Sequence, residues 1–462
     1  MAARPRPTAA AHVAGHGFDV QIFEAGGEDS LGGIWTKVNE SSGLQIHSVM
    51  YRFHPSVQWE QGYPHRNQIL DQVRRLWQRY RLQDKTRFNF RVAKVYQENG
   101  KWIVNDPANG AFDGVVCAVG TCGEPKMPSI PGADQFKGST LHSSELTGKS
   151  AKGKNIAIIG GGASAVEALE WASNTGAKKI KLVVRSDNKW IIPRNILVDT
   201  LLSLNVFGQE TVLSFIPEFF LKRFFYRGLE DIIPEKGLYT GTPMVNSDLM
   251  DKLREGKAEW IRGDIQGMTE DGLTVNRRAK GVPKGGVGHE ELVEADMVIM
   301  ATGFKRPSLN FLPDKCFQEP YSPPNWYIQT FPPDFPSISA INCTFVDAIG
   351  TVGNWHIGIY TRLLLMFVSD PLTRPSGFWM RRWIDFTGLL KFTSPTKPLE
   401  FFSYAELIWW FIFVCCFNPF RYKWIIFALF GVGLNLPEAF VRREEKILNS
   451  RGYKYRNEGR SI

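Results

Sequence analysis

The clearest pattern of hydrophobic and polar positions in the chain lies at residues 156–185. An apolar run leads into three consecutive glycines, Gly160 to Gly162, and apolar residues then recur at helical spacing. A second apolar run follows and ends at Val184. The pattern predicts strand, turn, helix and strand, the order of a nucleotide-binding βαβ unit.

The residue types of this unit suit the binding of a dinucleotide. Gly160 permits the tight turn, and the missing side chain at Gly162 lets a pyrophosphate approach the backbone. Ala165 is small enough for close packing of the helix on the sheet. The helix N-terminus, which includes Ser164, offers free N–H groups and a partial positive charge to the phosphates.

The second strand of the unit ends at Arg185 and Ser186 rather than at an acidic residue. An acid at this position would bind a ribose diol, whereas an arginine accommodates a 2′-phosphate. These two residues therefore predict NADPH rather than NADH. The alternative is a solvated arginine at a strand end.

A second, incomplete signal lies near the N-terminus. Residues 8–15 have helical composition, and residues 17–25 read as a turn and a strand ending at Glu24, which is placed to accept a hydrogen bond from a ribose hydroxyl. The first strand and the glycine loop should precede them, but Arg4-Pro5-Arg6-Pro7 stands there. We expect an upstream segment to supply both; the alternative is a non-catalytic nucleotide-binding remnant.

Three later glycine motifs fit the same interpretation. Paired glycines can pass close under a cofactor, a tryptophan can flank its ring, and two short apolar strands end in small-x-Gly turns that return the chain to a dinucleotide sheet. The residues are Leu31, Gly32, Gly33 and Trp35 in the loop, Ala118 and Gly120 after one strand, and Ala301, Thr302 and Gly303 after the other.

These motifs occur in the order found in flavin-containing monooxygenases, the FAD- and NADPH-dependent class B flavoprotein monooxygenases. The sequence resembles that family over roughly residues 10–376. The linker at 131–146 resembles the family fingerprint FxGxxxHxxxF/Y: Phe136, Gly138 and His142 match, whereas Leu146 replaces the aromatic residue. Baeyer–Villiger monooxygenases have tryptophan at that last position, so the fingerprint excludes neither subclass.

The resemblance implies FAD in the N-terminal dinucleotide-binding fold, called the first fold here. It implies NADPH in the inserted fold that contains residues 156–185, called the second fold. In that family NADPH reduces the flavin, oxygen adds at flavin C4a, and the hydroperoxide transfers one oxygen atom, so that the cofactor carries the chemistry. We therefore predict an N,N-dimethylaniline monooxygenase-like enzyme that uses O₂ for N- or S-oxygenation of a small lipophilic substrate. The alternative reaction is Baeyer–Villiger oxygenation of a ketone.

The resemblance also points to two candidate catalytic residues. Family members place an asparagine that contacts flavin and NADP⁺ soon after the paired-glycine loop. An ungapped alignment puts Gln45 there, which keeps the amide, and a shift of two residues puts His47 there instead. The alternative for either residue is a solvent-facing position in a loop.

The predicted fold class is α/β, with two nested dinucleotide-binding (Rossmann-like) domains and a C-terminal hydrophobic helical segment. We assign residues 1–150 to the first part of an N-terminally truncated FAD-binding domain and 151–292 to an inserted NADPH-binding domain. Residues 293–395 form the return segment of the FAD-binding domain. Residues 396–462 form the hydrophobic helical region.

The C-terminal region contains two apolar runs, 407–417 and 424–434, each shorter than the roughly 20 residues that span a bilayer. A hairpin dipping into one leaflet fits them, with membrane-surface contact through 404–434. Arg421 and Lys423 would then lie at the headgroups, and Trp409, Trp410 and Trp424 would be interfacial anchors. The alternatives are apolar core helices or a dimer interface.

Composition narrows the remaining possibilities. The 462 residues suit two or three domains, and the net charge of +9 comes from scattered Lys and Arg, which does not predict a nucleic-acid surface. The six cysteines form no CxxC pair or zinc spacing, so we predict reduced thiols and no metal site. No signal peptide is recognisable, and the predicted location is intracellular, either on an endomembrane surface or cytoplasmic. The oligomeric state is not predicted.

Overall fold

The computed structural model of the 462-residue chain describes residues 6–186, 189–203, 212–241, 243–344, 356–392, 402–432 and 438–450. Within these ranges the chain forms sixteen strands and twelve α-helices. The fold is mixed α/β.

The elements are numbered here in chain order. The strands are β1 (Ile22–Phe23), β2 (Thr86–Arg87), β3 (Val95–Glu98), β4 (Lys101–Val104), β5 (Ala111–Phe112), β6 (Val115–Cys117), β7 (Ser139–His142), β8 (Asn155–Ile159), β9 (Lys179–Val184), β10 (Ile191–Ile192), β11 (Met244–Val245), β12 (Ala258–Thr269), β13 (Gly272–Arg277), β14 (His289–Glu294), β15 (Met297–Met300) and β16 (Ile338–Ala340). The helices are α1 (Arg6–Gly15), α2 (Ile34–Lys37), α3 (Arg66–Arg79), α4 (Ala163–Asn174), α5 (Ile196–Ser203), α6 (Phe215–Phe220), α7 (Asp248–Arg254), α8 (His356–Ser369), α9 (Gly377–Phe392), α10 (Phe402–Phe417), α11 (Ile425–Phe430) and α12 (Glu438–Ser450).

The largest sheet has seven strands in the order β14-β13-β12-β9-β8-β15-β7. The five strands from β12 to β7 are parallel, and β13 and β14 extend the sheet as an antiparallel hairpin. β8, β9 and β15 are buried along nearly their whole length, because α4 and α7 cover one face of the sheet and apolar residues of β12, β13, β14 and the linker cover the other. The sheet also takes in β7 and β15, which lie outside 151–292.

The N-terminal part of the chain contributes smaller sheets. β1 pairs in parallel with β2, β6 pairs in parallel with β16, and β3, β4 and β5 form a separate antiparallel sheet. In the seven-stranded sheet, β8 stands between β9 and β15. The strand in the corresponding place of the first fold would precede α1, where residues 1–5 lie outside the described part of the chain.

Two large apolar cores support these sheets. The first core joins α1, α3, α8 and the C-terminal helices, and α3 contributes the face formed by Ile69, Leu70, Val73, Leu76 and Trp77. The second core packs α4 and α7 against β8 and β9. The helical spacing of apolar residues in α3 and α4 explains why each helix buries one continuous face.

Basic side chains meet where α1 packs against α8. The rings of His12 and His54 lie 4.8 Å apart, and His54 Nε2 lies 3.2 Å from the hydroxyl of Tyr80. Burial lowers the pKa of His12 well below its usual value and that of His54 to about 4, and the nearby Arg362 guanidinium contributes to both shifts. The neutral imidazoles are therefore the forms that the fold accommodates.

The C-terminal helices pack on the first core rather than forming an isolated hairpin. Arg421 is buried and donates from Nε to the carbonyl oxygen of Thr373 at 2.8 Å, so its predicted position at lipid headgroups is wrong. Trp410 and Trp424 are also buried, and their indole N–H groups donate hydrogen bonds to Tyr327 and Asp370. Their predicted role as interfacial anchors is therefore wrong as well. Among the described residues, no helix combines the length and apolarity needed to cross a membrane.

The histidine cluster predicts a pH-dependent free energy of unfolding. Because His12 and His54 have lowered pKa values in the folded state, the unfolded chain binds protons first as pH falls below 6.5, and stability falls until pH reaches the folded pKa. We expect the wild-type chain to lose on the order of 1–3 kcal/mol more between pH 7.5 and 5 than the H12Q/H54Q variant. Denaturant unfolding at both pH values measures this difference.

His289 provides the control, because its side chain is 72% exposed. The H289Q variant should keep the wild-type dependence on pH. Equal pH slopes for the wild-type chain and H12Q/H54Q would contradict the assignment.

Candidate functional site

The turn between β8 and α4 has the geometry expected of a phosphate-binding loop. Gly160 has φ +138°, and a Cβ atom there would collide with the carbonyl oxygen of Ala301. A Cβ at Gly162 would meet no atom within 4 Å, so the space in front of the helix is open. Gly162 is also the N-cap of α4 and places no side chain over the free N–H groups of the first turn, which includes Ser164.

The other residues predicted for NADPH lie around this turn. Ala165 is fully buried against the sheet, as close helix packing requires. Arg185 and Ser186 follow β9, which runs parallel to β8, so the two strands end at the same edge of the sheet. Both residues are exposed there. The structure thus brings the glycine turn and an exposed arginine at a strand end to one edge of the sheet.

The residues predicted for the first nucleotide site also meet. Glu24, Leu31, Gly32 and Gly33 line one cavity, together with Pro7, Ile22, Ser30, Trp77, Thr86 and Phe88. Glu24 is buried, and its Oε1 accepts a hydrogen bond from the backbone N–H of Gly26 at 2.9 Å. Gly32 has φ +119°, and a Cβ there would collide with Leu70, so only glycine fits.

Trp35 lies apart from this cavity. Its side chain is buried, and Nε1 donates to the hydroxyl of Tyr51 at 3.2 Å. The backbone carbonyl oxygen of Trp35 accepts a hydrogen bond from Arg66 Nε at 2.8 Å. The described contacts of Trp35 are therefore those of a core residue that anchors the paired-glycine loop to α3.

Two chain segments cross between the folds and pair with each other. The segment after Gly120 forms backbone hydrogen bonds with the segment at 303–305, from Lys126 N to Gly303 O at 2.9 Å and from Gly123 N to Lys305 O at 2.8 Å. Gly120 and Gly303 both have positive φ. Ala118 follows β6, and Ala301 and Thr302 follow β15, so the small-x-Gly motifs form the turns that lead into the crossing.

The fingerprint residues of the linker stabilise this crossing. A Cβ at Gly138 would collide with the ring of Phe136 and the carbonyl oxygen of Asp296. His142 is buried, and its Nε2 lies 3.0 Å from the carbonyl oxygen of Gly303. Burial lowers the pKa of His142, so its neutral form predominates at pH 7. Leu146 is fully buried in the second core.

Gln45 and His47, the two candidate catalytic residues, lie in a loop that faces the second fold. Gln45 Nε2 donates to Glu167 Oε1 at 3.3 Å, and the backbone N–H of His47 donates to Asp199 Oδ2 at 2.9 Å. The ring of His47 packs edge-on against Tyr63. Neither residue is a fully exposed loop residue, and the structure places both between the two folds.

The sequence interpretation did not single out the acidic partners of this loop. Glu167 lies on α4 and is buried, and burial raises its pKa to about 7. Asp199 lies on α5, where burial raises its pKa as well. An acidic residue at a helix position where the apolar periodicity predicts burial was the signal available in the sequence for Glu167.

Comparisons with known proteins agree with this arrangement. The profile of a family described as pyridine nucleotide-disulphide oxidoreductase matches residues 35–195. A Baeyer-Villiger monooxygenase of Pseudomonas aeruginosa is 28% identical over 193 residues, which is 36% of each chain. A probable indole-3-pyruvate monooxygenase of Arabidopsis thaliana is 27% identical over 242 residues, 47% of this chain and 57% of that protein. The chain thus spans a third to just over half of these relatives' length.

Solved structures share the fold over most of the chain. An oxidised steroid monooxygenase bound to NADP superposes with a TM-score of 0.65 at 15% identity, covering 91% of this chain and 97% of that one. An open crystal structure of cyclohexanone monooxygenase gives a TM-score of 0.67 at 15% identity, again covering 91% and 97%.

Two folds of the dinucleotide-binding type, joined by paired crossing segments, define a class of oxidoreductase that handles two nucleotide cofactors. Within this class, the chain is similar to flavin-dependent monooxygenases, in sequence over part of its length and in fold over most of it. Among the solved structures with this fold, OTEMO is a complex with FAD and NADP; it is 19% identical to this chain, with a TM-score of 0.62.

The glycines of the phosphate turn give a matched pair of substitutions. We expect G160A to destabilise the protein by about 1–3 kcal/mol, because the new Cβ collides with Ala301 in a strained backbone conformation. We expect G162A to change stability by less than about 1 kcal/mol, because its Cβ points into open space. G162A should nevertheless weaken NADPH binding about tenfold or more, because it fills the approach of the pyrophosphate.

Thermal unfolding and NADPH titration of the two variants measure these effects separately. Wild-type affinity in a well-folded G162A protein would show that the pyrophosphate does not approach this turn.

Proposed function

We propose that the protein is an FAD- and NADPH-dependent monooxygenase that transfers one atom of O₂ to a small lipophilic substrate. One observation carries the proposal: the loop that follows the paired-glycine cavity of the first fold is bonded through Gln45 and His47 to helices of the second fold. We take this loop as the wall that the two nucleotide sites would share. A reaction between a nicotinamide and a flavin requires such contact.

The second fold would hold NADPH. The open space at Gly162 and the uncapped N-terminus of α4 suit the pyrophosphate, and Arg185 at the same sheet edge suits the 2′-phosphate. These contacts are directed at anions and leave the nicotinamide end free to reach the other fold.

The first fold would hold FAD. Glu24 at the end of β1 suits the ribose hydroxyls, and Gly32 and Gly33 keep the loop close to the cavity wall. The flavin supplies the redox chemistry when it is bound, and the protein's part is to orient it and exclude water. Gln45 and His47 are the polar side chains at the shared wall, and the buried amide oxygen of Gln45 has no hydrogen-bond partner among the described residues.

Two substrate classes follow from different observations. The order of the glycine motifs, which resembles that of flavin-containing monooxygenases, supports N- or S-oxygenation of a soft nucleophile. The relatives named for Baeyer–Villiger and cyclohexanone oxygenation support attack on a ketone. Either subclass has an aromatic residue at the position of Leu146, so this residue matches neither pattern and does not distinguish the two reactions.

The test is a spectrum followed by a substrate screen. The purified chain is mixed with FAD, freed of excess cofactor and examined between roughly 350 and 500 nm, where oxidised flavin absorbs. Loss of this absorbance on adding NADPH and its return in air would support the proposal, and thioether and cyclic ketone substrates then distinguish the two reactions. A protein that stays colourless after incubation with FAD would refute catalysis by this chain.

Arg185 predicts the nicotinamide preference. We expect R185A to weaken NADPH binding about tenfold or more and to leave NADH binding within about twofold, because only NADPH carries the 2′-phosphate that a guanidinium binds. Titration of the protein with both nucleotides measures the two affinities, and NADH is the internal control. An equal loss for both nucleotides would indicate damage to the fold rather than loss of a phosphate contact.

We further propose that the protein contacts an anionic membrane surface through α9, α10 and α11. α10 buries Leu407 and Trp410 but exposes Ile408, Ile412 and Phe413 on its other side. Phe386 of α9 lies 6.3 Å from Phe413, so the apolar surface continues across the two helices. Further exposed apolar residues on these elements are Phe378, Trp379, Leu389 and Phe430.

One exposed cation borders this surface and supports an anionic partner. The guanidinium of Arg382, whose side chain is 58% exposed, lies 5.5 Å from the ring centroid of Phe378. An apolar surface with a cation at its rim suits the boundary between headgroups and acyl chains.

The membrane contact can be tested by flotation with lipid vesicles. We expect the wild-type chain to float with vesicles containing phosphatidylserine, and F386K/I412K to lose at least about tenfold in bound fraction, because charges cannot enter the acyl region cheaply. V287K is the control, since Val287 is 89% exposed but lies elsewhere, in the segment between β13 and β14. Equal binding of the wild-type chain and F386K/I412K would refute this surface.

A further inference from the structure

Three side-chain contacts hold the loop at 39–47 against the second fold and its linker. Asn39 Nδ2 donates to the carbonyl oxygen of Ser143 at 2.6 Å, and Asp199 accepts from the backbone of His47. The third contact is made by Glu167 of α4. Its Oε2 accepts from Ser42 Oγ at 2.9 Å, and its Oε1 accepts from Gln45 Nε2 at 3.3 Å.

Glu167 differs from Asn39 in carrying an ionisable carboxyl group, and from Asp199 in accepting hydrogen bonds from two side chains of the loop. Its residue is 5% exposed, and the two hydrogen bonds come from a hydroxyl and an amide. Across the described ranges no lysine or arginine forms an ion pair with it. Burial makes ionisation of this carboxyl group costly even when a hydroxyl and an amide donate hydrogen bonds to it.

Gln45 supplies a second observation. Its amide nitrogen faces Glu167, whereas its amide oxygen is buried and has no hydrogen-bond partner among the described residues. A buried acceptor without a donor costs free energy comparable to a lost hydrogen bond. In this orientation the amide of Gln45 donates a hydrogen bond to Glu167, while its own oxygen accepts none from the described residues.

We propose that Glu167 is a positioning residue that sets the orientation of the Gln45 amide and holds its loop against the phosphate-binding helix. When Glu167 is ionised, both of its oxygens accept, and the amide must present N–H. When Glu167 is protonated, its hydroxyl can donate to the amide oxygen after the amide turns by half a rotation. The proton on Glu167 thereby decides whether Gln45 presents a donor or an acceptor to its other side.

The change of protonation falls in a useful range. Burial raises the pKa of Glu167 to about 7, and the hydrogen bonds from Ser42 and Gln45 oppose the shift. The titratable group that faces it on α4 is Glu170, whose negative charge raises the pKa further. Both states of the Gln45 amide are thus reached near neutral pH.

The inference rests on the proposed function for its consequence. Gln45 occupies the wall shared by the two cofactor sites, so its donor or acceptor character would act on the nicotinamide or the flavin. The positioning itself is a property of the chain without cofactors. The two parts can therefore be tested apart.

The first experiment measures hydrogen–deuterium exchange of residues 42–48 in the chain without cofactors at pH 7. We expect E167A to accelerate exchange there by about tenfold or more, because it removes both contacts. E167Q should stay within about threefold of wild type, because an amide can accept from Ser42 and donate to the Gln45 oxygen. Unchanged exchange in E167A would overturn the positioning role.

Glu170 provides a matched control on the same helix. Its Oε1 accepts from Arg194 and Asn246, both within the second fold, and it forms no described contact with the loop. E170Q should therefore leave exchange at 42–48 within about threefold of wild type. If E170Q accelerated exchange at 42–48 as much as E167A does, the effect would come from any change on α4 and not from loss of the Glu167 contacts. That result would overturn the inference.

The second experiment follows flavin reduction by NADPH in the FAD-loaded protein between pH 6 and 8.5. We expect a step of about threefold or more centred near pH 7 in the wild-type chain, the same step at a lower pH in E170Q, and its loss in E167Q, which carries no titrating group at this position. The same step in E167Q would overturn the role of the proton. Absence of reduction in every protein would instead refute the proposed function, and the exchange experiment would still decide the positioning role.

Discussion

The structure depends on the way that β15 brings the chain back into the parallel sheet between β8 and β7. Its end at Ala301 packs so closely on Gly160 that no side chain fits there. The next residues carry Gly303, whose carbonyl oxygen meets His142 at the end of β7. The phosphate turn, the crossing between the folds and the linker fingerprint are therefore consequences of one close approach of backbone segments. This explains why glycine and histidine occur at those positions.

Much of this arrangement was predictable from the sequence. The βαβ unit with Gly160, Gly162 and Arg185 shows alternation of apolar runs and a glycine turn, which are local properties that periodicity detects. The small-x-Gly turns after Ala118 and Ala301 are equally local. The residues around the first cavity, from Glu24 to Gly33, were found because they lie close together in the chain.

The contacts between the folds were less predictable, because they join residues far apart in the chain. Ser42 and Glu167 are separated by 125 positions, and nothing in either segment alone indicates the other. The C-terminal helices show that burial is equally hard to predict from a single segment. Arg421 and Trp424 occur in a segment whose composition suits a membrane surface, but carbonyl and carboxylate partners elsewhere in the fold bury them. Composition describes a segment, whereas burial depends on what the rest of the chain places beside it.

The polar wall between the two folds has an electrostatic consequence that neither fold would have alone. In the proposed function, the N-terminus of α4 would face the anionic phosphates of a dinucleotide, and the same helix carries Glu167 and Glu170 on its next two turns. Phosphates at the start of the helix disfavour negative charge further along it, and the buried surroundings of Glu167 screen this repulsion poorly. The free energy of binding a dinucleotide and that of protonating Glu167 are therefore coupled, and by reciprocity each favours the other. Binding of a dinucleotide at the phosphate turn would therefore favour the protonated form of Glu167. Because Glu167 also contacts the loop, binding would change the hydrogen bonding at the shared wall.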